Sequence, residues 1–240
     1  MIMLCSLAVS DLLVGLIVQP IYIAQQLTKD SLVLLAAIQI GFSLCGVSLL
    51  TITLISVDRF LALHCHMRYA TLVTDSRVKY ALIIIWLTTS FAAGFYFLND
   101  HVHSLLSGVA TIICLLVSTF FYIRIHRIVR RHQIQIHAQQ QAVQSSEAEN
   151  NFNIARLKRS ALNTFVFYIA LIICYFPMYV LLIVDGISHK ERKTEWQIAS
   201  TLVFFNSCIN PVLYCWRLRQ LRTAVVKTAR QMLCKQTDEN

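Results

Sequence analysis

Residues 41–63 read GFSLCGVSLLTITLISVDRFLAL, and this segment decides the fold class of the 240-residue chain. It is apolar until Asp58 and Arg59, where an acid and a base occur together. On a helix, Ser48 and Arg59 lie on the same face, roughly 16 Å apart along the axis. A spanning helix that simply ends in a snorkelling arginine would have the same charge pattern. The segment therefore predicts a membrane-spanning helix with a buried hydroxyl and a charged pair at the membrane edge.

The composition extends this prediction to the whole chain. Hydrophobic residues make up 57% of it and charged residues 14%, whereas about a quarter of a soluble domain is charged. Backbone groups in lipid are satisfied only in helices or closed barrels, and the apolar runs are too long for barrel strands. We therefore predict an all-α transmembrane helical bundle with six spans, at about residues 2–27, 31–60, 79–99, 103–128, 161–186 and 196–216.

Lys and Arg are concentrated on one side of the predicted membrane. The loops after the second, fourth and sixth runs hold most of them, including Arg68, Arg77 and the cluster from 124 to 131. Because cytoplasmic loops carry the excess Lys and Arg, we assign this side to the cytoplasm. The formal net charge of +9 then reflects topology and contact with anionic lipid, and it does not indicate nucleic-acid binding.

The chain divides into a transmembrane region at 1–216 and a short region at 217–240. In the second region, basic and apolar residues alternate at helical spacing, which is typical of an amphipathic helix lying on the inner leaflet. Cys234 is a candidate lipidation site in this region. We expect membrane lipids to contact it.

Several polar residues and prolines interrupt the apolar runs. Asp11 lies inside the first run, where a carboxylate is costly unless it is paired or hydrated. A structural carboxylate held by neighbouring hydroxyls is the alternative to a functional one. Pro20 and Pro177 predict kinks in the first and fifth runs. Three polar residues also precede Pro211 in the sixth run: Asn206, Ser207 and Asn210. Polar side chains beside a helix defect inside a membrane indicate water or an ion there.

The cysteines and histidines predict neither a disulfide framework nor a transition-metal centre. None of the eight cysteines lies in a predicted outer loop, so no outer disulfide is expected. His64, Cys65 and His66 follow one another directly, and adjacent residues do not converge on one metal ion.

Five motifs resemble the rhodopsin-like G protein-coupled receptors in order and spacing, over nearly the whole chain. They are LAVSDLL at 7–13, SVDRF at 56–60, the mid-span Trp86, CYFP at 174–177 and NPVLY at 210–214. By this resemblance the six runs correspond to the family's second to seventh helices, followed by its membrane-lying eighth helix. The first helix would then be missing, and we expect the chain to be a fragment.

The resemblance implies two sites within the bundle. One is an allosteric sodium pocket, with Asp11 as the metal ligand and with no other cofactor: Asp11, Ser48, Asn206, Ser207 and Asn210. The other is the G-protein switch at the cytoplasmic side, in which Phe60 replaces the usual Tyr and two tyrosines move toward Arg59 on activation: Asp58, Arg59, Phe60, Met67, Tyr122 and Tyr214. Pro177 and Pro211 would act as hinges.

The resemblance also implies an outer ligand pocket, and departures from the family pattern narrow its chemistry. Leu34 stands where the family's disulfide cysteine is usual, which is similar to the melanocortin, lysolipid, cannabinoid and adenosine branch. Gly41 replaces the amine-binding Asp, which favours a lipid-like or small neutral ligand over a monoamine. The expected lining is mostly apolar and aromatic, with Tyr175 in place of the usual switch Trp: Tyr22, Gly41, Phe42, Cys45, Tyr175, Met178, Tyr179, Trp196, Ser200 and Phe204.

The implied function is signalling without chemistry. The resemblance predicts a multi-pass receptor of the plasma membrane, with an extracellular ligand, a heterotrimeric G protein and arrestin as partners. Leu157 stands where many relatives carry an acid that holds the switch arginine at rest, so we expect signalling without ligand.

Two other classes fit the sequence less well. An ion-coupled transporter or channel could use Asp11 and Asn210. A second acidic residue deep in another span, or an inverted internal repeat, would favour this class, and the sequence shows neither. A membrane enzyme would need a converging nucleophile and base or a metal cluster, and none is evident in the sequence. We therefore predict that the protein is not an enzyme.

Overall fold

A computed structural model describes residues 2–28, 31–65, 68–94, 100–142, 166, 168–181, 184 and 193–217, together with single positions at 223, 227 and 231. These residues are helical apart from short turns, and no strand occurs among them, which confirms the predicted all-α class. Most of the predicted helix at 217–240 lies outside the described residues. So do three residues of the predicted cytoplasmic side: Met67, Leu157 and Cys234.

The described residues form seven helices: α1 (Ile2–Thr28), α2 (Ser31–His64), α3 (Tyr69–Leu72), α4 (Asp75–Gly94), α5 (Asp100–Ala142), α6 (Tyr168–Leu181) and α7 (Lys193–Arg217). Within the described ranges, three segments are long and apolar enough to cross a membrane, namely α1, Gln39–His64 of α2 and Leu105–Arg131 of α5. Helix α6 is apolar but shorter over its described length. The predicted spans at 79–99, 161–186 and 196–216 overlap α4, α6 and α7.

Helix α1 contains a π-helical turn before its proline. The turn covers Val14–Val18, and the Gln19 N–H donates to the Val14 carbonyl across it. Pro20 has no N–H, and in a regular α-helix its ring would clash with the carbonyl of Leu16. Because Leu16 lies inside the wider turn, the irregularity occurs where the proline disfavours regular α-helix. The defect predicted from Pro20 therefore takes the form of a π-turn.

Helix α2 is the centre of the bundle. It contacts α1, α4, α5 and α7. In its most apolar 18-residue stretch, 56% is buried inside the protein, compared with 17% in the corresponding stretch of α5. The core around it is formed by apolar side chains from α1, α2, α5, α6 and α7, among them Val14, Leu49, Cys114, Leu171 and Val203. Because α2 touches most of the other helices, residues spaced along it face every candidate site of the molecule.

Small and polar residues join α4 to the centre. The Trp86 indole N–H donates to Ser6 Oγ of α1 at 3.1 Å. Gly46 of α2 faces Thr89 so closely that an added Cβ would lie 3.2 Å from the Thr89 methyl group. Small residues allow helix backbones to approach in this way inside a membrane. These contacts place α4 against α1 and α2.

Candidate functional site

A buried polar cluster occupies the centre of the bundle. Three helices contribute to it, and each of its side chains is nearly or fully inaccessible to solvent. All five residues of the expected sodium pocket are buried, and one further buried residue, Ser10, contacts Ser48. The cluster consists of Ser10 and Asp11 of α1, Ser48 of α2, and Asn206, Ser207 and Asn210 of α7.

Hydrogen bonds connect the three helices through Asp11. Its Oδ1 accepts from Ser48 Oγ at 3.2 Å and from Asn210 Nδ2 at 3.3 Å. Ser10 Oγ lies 2.9 Å from Ser48 Oγ and also donates to the Leu7 carbonyl. The structure thus brings Asp11, Ser48 and Asn210 into direct contact, although they are widely separated along the chain.

The cluster has more hydrogen-bonding capacity than the described residues use. Asp11 Oδ2 and both amide atoms of Asn206 are buried and have no hydrogen-bond partner within the described part of the chain. A buried polar atom without a partner is destabilising unless water or an ion satisfies it. Oxygen atoms around one carboxylate fit a small hard cation or water. No group of three His, Cys, Asp or Glu side chains converges on a metal position among the described residues.

Ser10 is the residue of this cluster that the sequence did not predict. It directly precedes Asp11 inside the LAVSDLL motif, but its contact with Ser48 depends on how α1 packs on α2.

A second buried carboxylate lies at the cytoplasmic end of α2. Asp58 Oδ2 accepts from Arg59 Nη2 at 2.7 Å and Nε at 3.1 Å, and its Oδ1 accepts from the Tyr69 hydroxyl at 2.7 Å. Burial, then the hydrogen bond to Asp58 and that carboxylate's charge, raise the pKa of the Tyr69 phenol above its ordinary value. Tyr69 therefore remains a donor at cytosolic pH, and both oxygens of Asp58 are occupied.

The other described residues of the predicted switch lie on α2, α5 and α7. Phe60 stacks on His64, with ring centroids 5.2 Å apart and planes at 11°, and it also contacts α5. Tyr122 of α5 faces α6, and Tyr214 belongs to the last turns of α7. Tyr69 was not predicted, because its role depends on the turn that folds α3 back beneath α2.

A partly open cavity of about 90 Å³ lies toward the predicted outer side of the bundle, one to two helical turns from the polar cluster along α2. It is lined by seven of the ten expected pocket residues, Tyr22, Gly41, Phe42, Cys45, Met178, Ser200 and Phe204, and also by Ala37 and Val203. No charged side chain is among these lining residues. Tyr179 and Trp196 are half-buried and do not belong to this lining.

Close contacts shape the two ends of the cavity. A Cβ added to Gly41 would lie 3.3 Å from Val18 Cγ1 and 3.4 Å from Phe204 Cε1, so the absence of a side chain there leaves room for both. Phe42 packs edge-on against His103, with ring centroids 4.9 Å apart. At the inner end, the buried Tyr175 donates from its hydroxyl to the Cys45 carbonyl at 3.2 Å. Tyr175 thereby connects α6 to α2 next to the cavity.

The fold is that of a helical membrane protein, and comparison with known proteins identifies its family. The family described as 7 transmembrane receptor (rhodopsin family) matches residues 1–105 and 97–214. The chain therefore belongs to the rhodopsin family of seven-transmembrane receptors, as the motifs predict. The family consists of signalling receptors that couple an extracellular ligand to a G protein, and it is not an enzyme family in general.

Individual relatives are receptors as well. The histamine H2 receptor of Cavia porcellus is 28% identical over 250 residues, covering 91% of this chain and 67% of that receptor. The adenosine receptor A2b of Gallus gallus is 26% identical and covers 98% of this chain and 80% of its own length. The cannabinoid receptor 1 of Xenopus laevis is 24% identical over 71% of this chain and 42% of its own. These matches do not favour the transporter or channel alternative.

Proposed function

We propose that this protein is a plasma-membrane receptor that binds a lipid-like or small neutral ligand from outside and activates a heterotrimeric G protein inside. The observation that carries the proposal is the uncharged lining of the outer cavity, with Gly41 where a carboxylate would be needed to bind an amine. The relatives' names refer to three different ligands, histamine, adenosine and cannabinoids, and so do not choose between ligand classes.

The cavity chemistry favours a neutral ligand. Apolar burial contributes roughly 25 cal/mol per Å², and most side chains in the lining are apolar or aromatic. A cationic ligand would lose its hydration without gaining a counter-ion from the described lining, which is unfavourable in a low-dielectric site. Ser200 and Tyr22 supply hydroxyl groups that can orient a polar end of such a ligand.

A sodium ion at Asp11 would regulate the receptor from the centre of the bundle. The unpartnered Asp11 Oδ2, the Ser48 hydroxyl and the Asn206 amide support this part of the proposal. An ion held there would join α1, α2 and α7 and so stabilise the resting arrangement. No other cofactor is proposed.

The cytoplasmic side would contact the transducing partners. Arg59, released from Asp58, would be the central contact for the G protein, together with the switch residues around it. Arrestin and membrane lipids are further proposed partners. The amphipathic region 217–240 would lie on the inner leaflet as a unit separate from the bundle at 1–216, with Cys234 lipidated.

The test is an activation screen on the full-length receptor in lipid nanodiscs. Guanine-nucleotide exchange on purified heterotrimeric G proteins is measured with a panel of neutral lipids and a matched panel of cationic amines. We expect activation from the neutral panel. Activation by cationic amines alone would refute the ligand class, and no exchange with either panel or without ligand would refute the signalling role.

A further inference from the structure

Four aromatic side chains connect three helices near the cytoplasmic switch. Phe60 of α2 lies against Phe121 of α5, with ring centroids 5.0 Å apart and planes at 48°. The next residue of α5, Tyr122, stacks almost parallel on Tyr168 of α6, at 5.3 Å and 11°. We call Phe60, Phe121, Tyr122 and Tyr168 the aromatic bridge. Because Phe60 directly follows Arg59, the bridge runs from the switch arginine to α6.

The hydroxyl of Tyr168 fixes its ring against α5. It is hydrogen-bonded to the Thr119 hydroxyl, and Thr119 in turn donates to the Leu115 carbonyl at 2.6 Å. Since the Thr119 proton is directed at that carbonyl, Tyr168 is the donor in the contact between the helices. Thr119 and Tyr122 are three residues apart on one face of α5. Tyr168 therefore contacts α5 twice, once through its hydroxyl and once through its ring.

No ion pair joins two helices among the described residues, where Arg59 is paired with its own neighbour Asp58. By the family resemblance, Leu157 stands in the place of the usual partner acid and is uncharged. Any movement of Tyr122 toward Arg59 must either break the stack on Tyr168 or carry α6 with it. The aromatic bridge thus couples α5 to α6 while Arg59 remains bound to Asp58.

We infer that Tyr168 is a positioning residue for the G-protein switch, which holds Tyr122 and α5 in the resting arrangement through its ring and its hydroxyl. The inference rests on the proposed signalling function. Aromatic pairs and neutral hydrogen bonds each stabilise an arrangement by about three- to tenfold in equilibrium constant. Losing both should raise the active fraction of the ligand-free receptor by a similar factor or more.

The experiment compares single substitutions in the full-length receptor in lipid nanodiscs. Tyr168→Leu removes ring and hydroxyl, Tyr168→Phe removes the hydroxyl alone, and Thr119→Val removes its acceptor. Phe176→Leu is the matched control, since Phe176 is an exposed aromatic residue of the same helix. Ligand-free nucleotide exchange on G protein is measured per folded receptor, with the thermal midpoint recorded alongside.

Exchange should rise about three- to tenfold or more in Tyr168→Leu and less in Tyr168→Phe, with no change in Phe176→Leu. Thr119→Val should match Tyr168→Phe, and combining these two substitutions should add nothing, because they remove one bond. A purely structural role would lower the thermal midpoint without raising exchange per folded receptor. Unchanged or lower exchange in Tyr168→Leu would overturn the inference, as would full additivity of the two hydroxyl substitutions.

A second readout separates this inference from the proposed function. With fluorotyrosine incorporated, the Tyr122 resonance should shift in Thr119→Val, which leaves both rings in place. An unshifted resonance would overturn the positioning role whatever the signalling result. A shifted resonance, with no exchange from any variant or from the wild type, would instead overturn the proposed signalling and the role of Tyr168 in it.

Discussion

Two carboxylates are buried among the described residues of this bundle, one at its centre and one at its predicted cytoplasmic edge, and they differ in how their oxygens are hydrogen-bonded. Asp58 is 4% exposed, and both of its oxygens have donors, from Arg59 and Tyr69. Asp11 is 3% exposed, but only Oδ1 has partners among the described residues, and these partners are neutral. Asp58–Arg59 is the only ion pair found in the described part of the chain.

The difference teaches that burial alone does not define what a carboxylate does in a membrane. The counter-charge of Asp58 is on the adjacent residue, Arg59. The two residues form an ion pair that dissociates only when the Arg59 side chain moves away. Asp11 has neither a counter-charge nor a partner for its second oxygen among the described residues, and a bound cation or proton would satisfy it. The predictions below test this contrast, beginning with the largest expected effect.

Replacing Asp11 with Asn should abolish the sodium response completely. In the wild type, sodium should raise the thermal midpoint above that in choline chloride of equal ionic strength and should reduce agonist affinity. Each tenfold rise in sodium concentration above the dissociation constant stabilises the folded receptor by about 1.4 kcal/mol. For a chain of this size, each kcal/mol raises the thermal midpoint by about 2–4 °C. Scanning calorimetry in the two salts measures the difference.

The exposed Asp75 at the start of α4 provides the control for this prediction. Asp75→Asn removes the same charge from the surface and should leave the sodium response intact. A sodium-specific shift that persists in Asp11→Asn would show that the ion binds elsewhere, and Asp11 would then be a structural carboxylate.

Gly41→Asp would create a third buried carboxylate, in the cavity, where no described lining residue carries a positive charge. Affinity for a neutral agonist should fall about tenfold or more, because the new side chain would crowd Val18 and Phe204 and would need a counter-ion. Gly41→Asn has the same shape without the charge and should lose less affinity. Radioligand or fluorescence binding measures both variants, and equal losses would mean that shape alone determines the ligand class.

Leu157→Glu would offer Arg59 a second acid from another part of the chain. The neighbours Arg156, Lys158 and Arg159 are all basic, so we expect the wild type to signal without ligand. A partly buried ion pair contributes on the order of 1 kcal/mol to the resting state, which shifts a two-state equilibrium several-fold. Ligand-free nucleotide exchange should therefore drop in Leu157→Glu but not in Leu157→Gln. Equal exchange in wild type and Leu157→Glu would indicate that packing, such as the aromatic bridge, holds the resting state.

Reducing agents should have the smallest effect. Cys5, Cys45, Cys65, Cys114, Cys174 and Cys208 are free thiols in the described residues, and none of the chain's cysteines lies in a predicted outer loop. Ligand binding should therefore be unchanged by a membrane-impermeant reductant. A related receptor with an outer disulfide serves as the positive control, and a marked loss of binding here would show that a cysteine has been assigned to the wrong side.

Much of the architecture could be predicted from local pattern. The apolar runs gave the helical class because their lengths match a bilayer, and an acid inside such a run marked Asp11 as a candidate whatever its surroundings. The family resemblance, in which Asp11 and Asn210 lie within quoted motifs, also implied that these two residues and Ser48 belong together. Their predicted roles in sodium binding, ligand binding and G-protein coupling stay predictions, for the experiments above to decide.

Only the tertiary structure shows the contacts between helices, because these contacts leave no recognisable pattern in the sequence. Ser10 meets Ser48 because of how α1 rotates against α2, and Tyr69 reaches Asp58 because α3 turns back beneath α2. Tyr168 resembles any aromatic residue facing lipid until α6 packs on α5. The sequence by itself determines which segments are helical and where their charges lie, since hydropathy and spacing are local. Which atoms of Asp11 and Asp58 are satisfied depends on the rotation and depth of each helix in the bundle, and these are set by packing with residues far away in the chain.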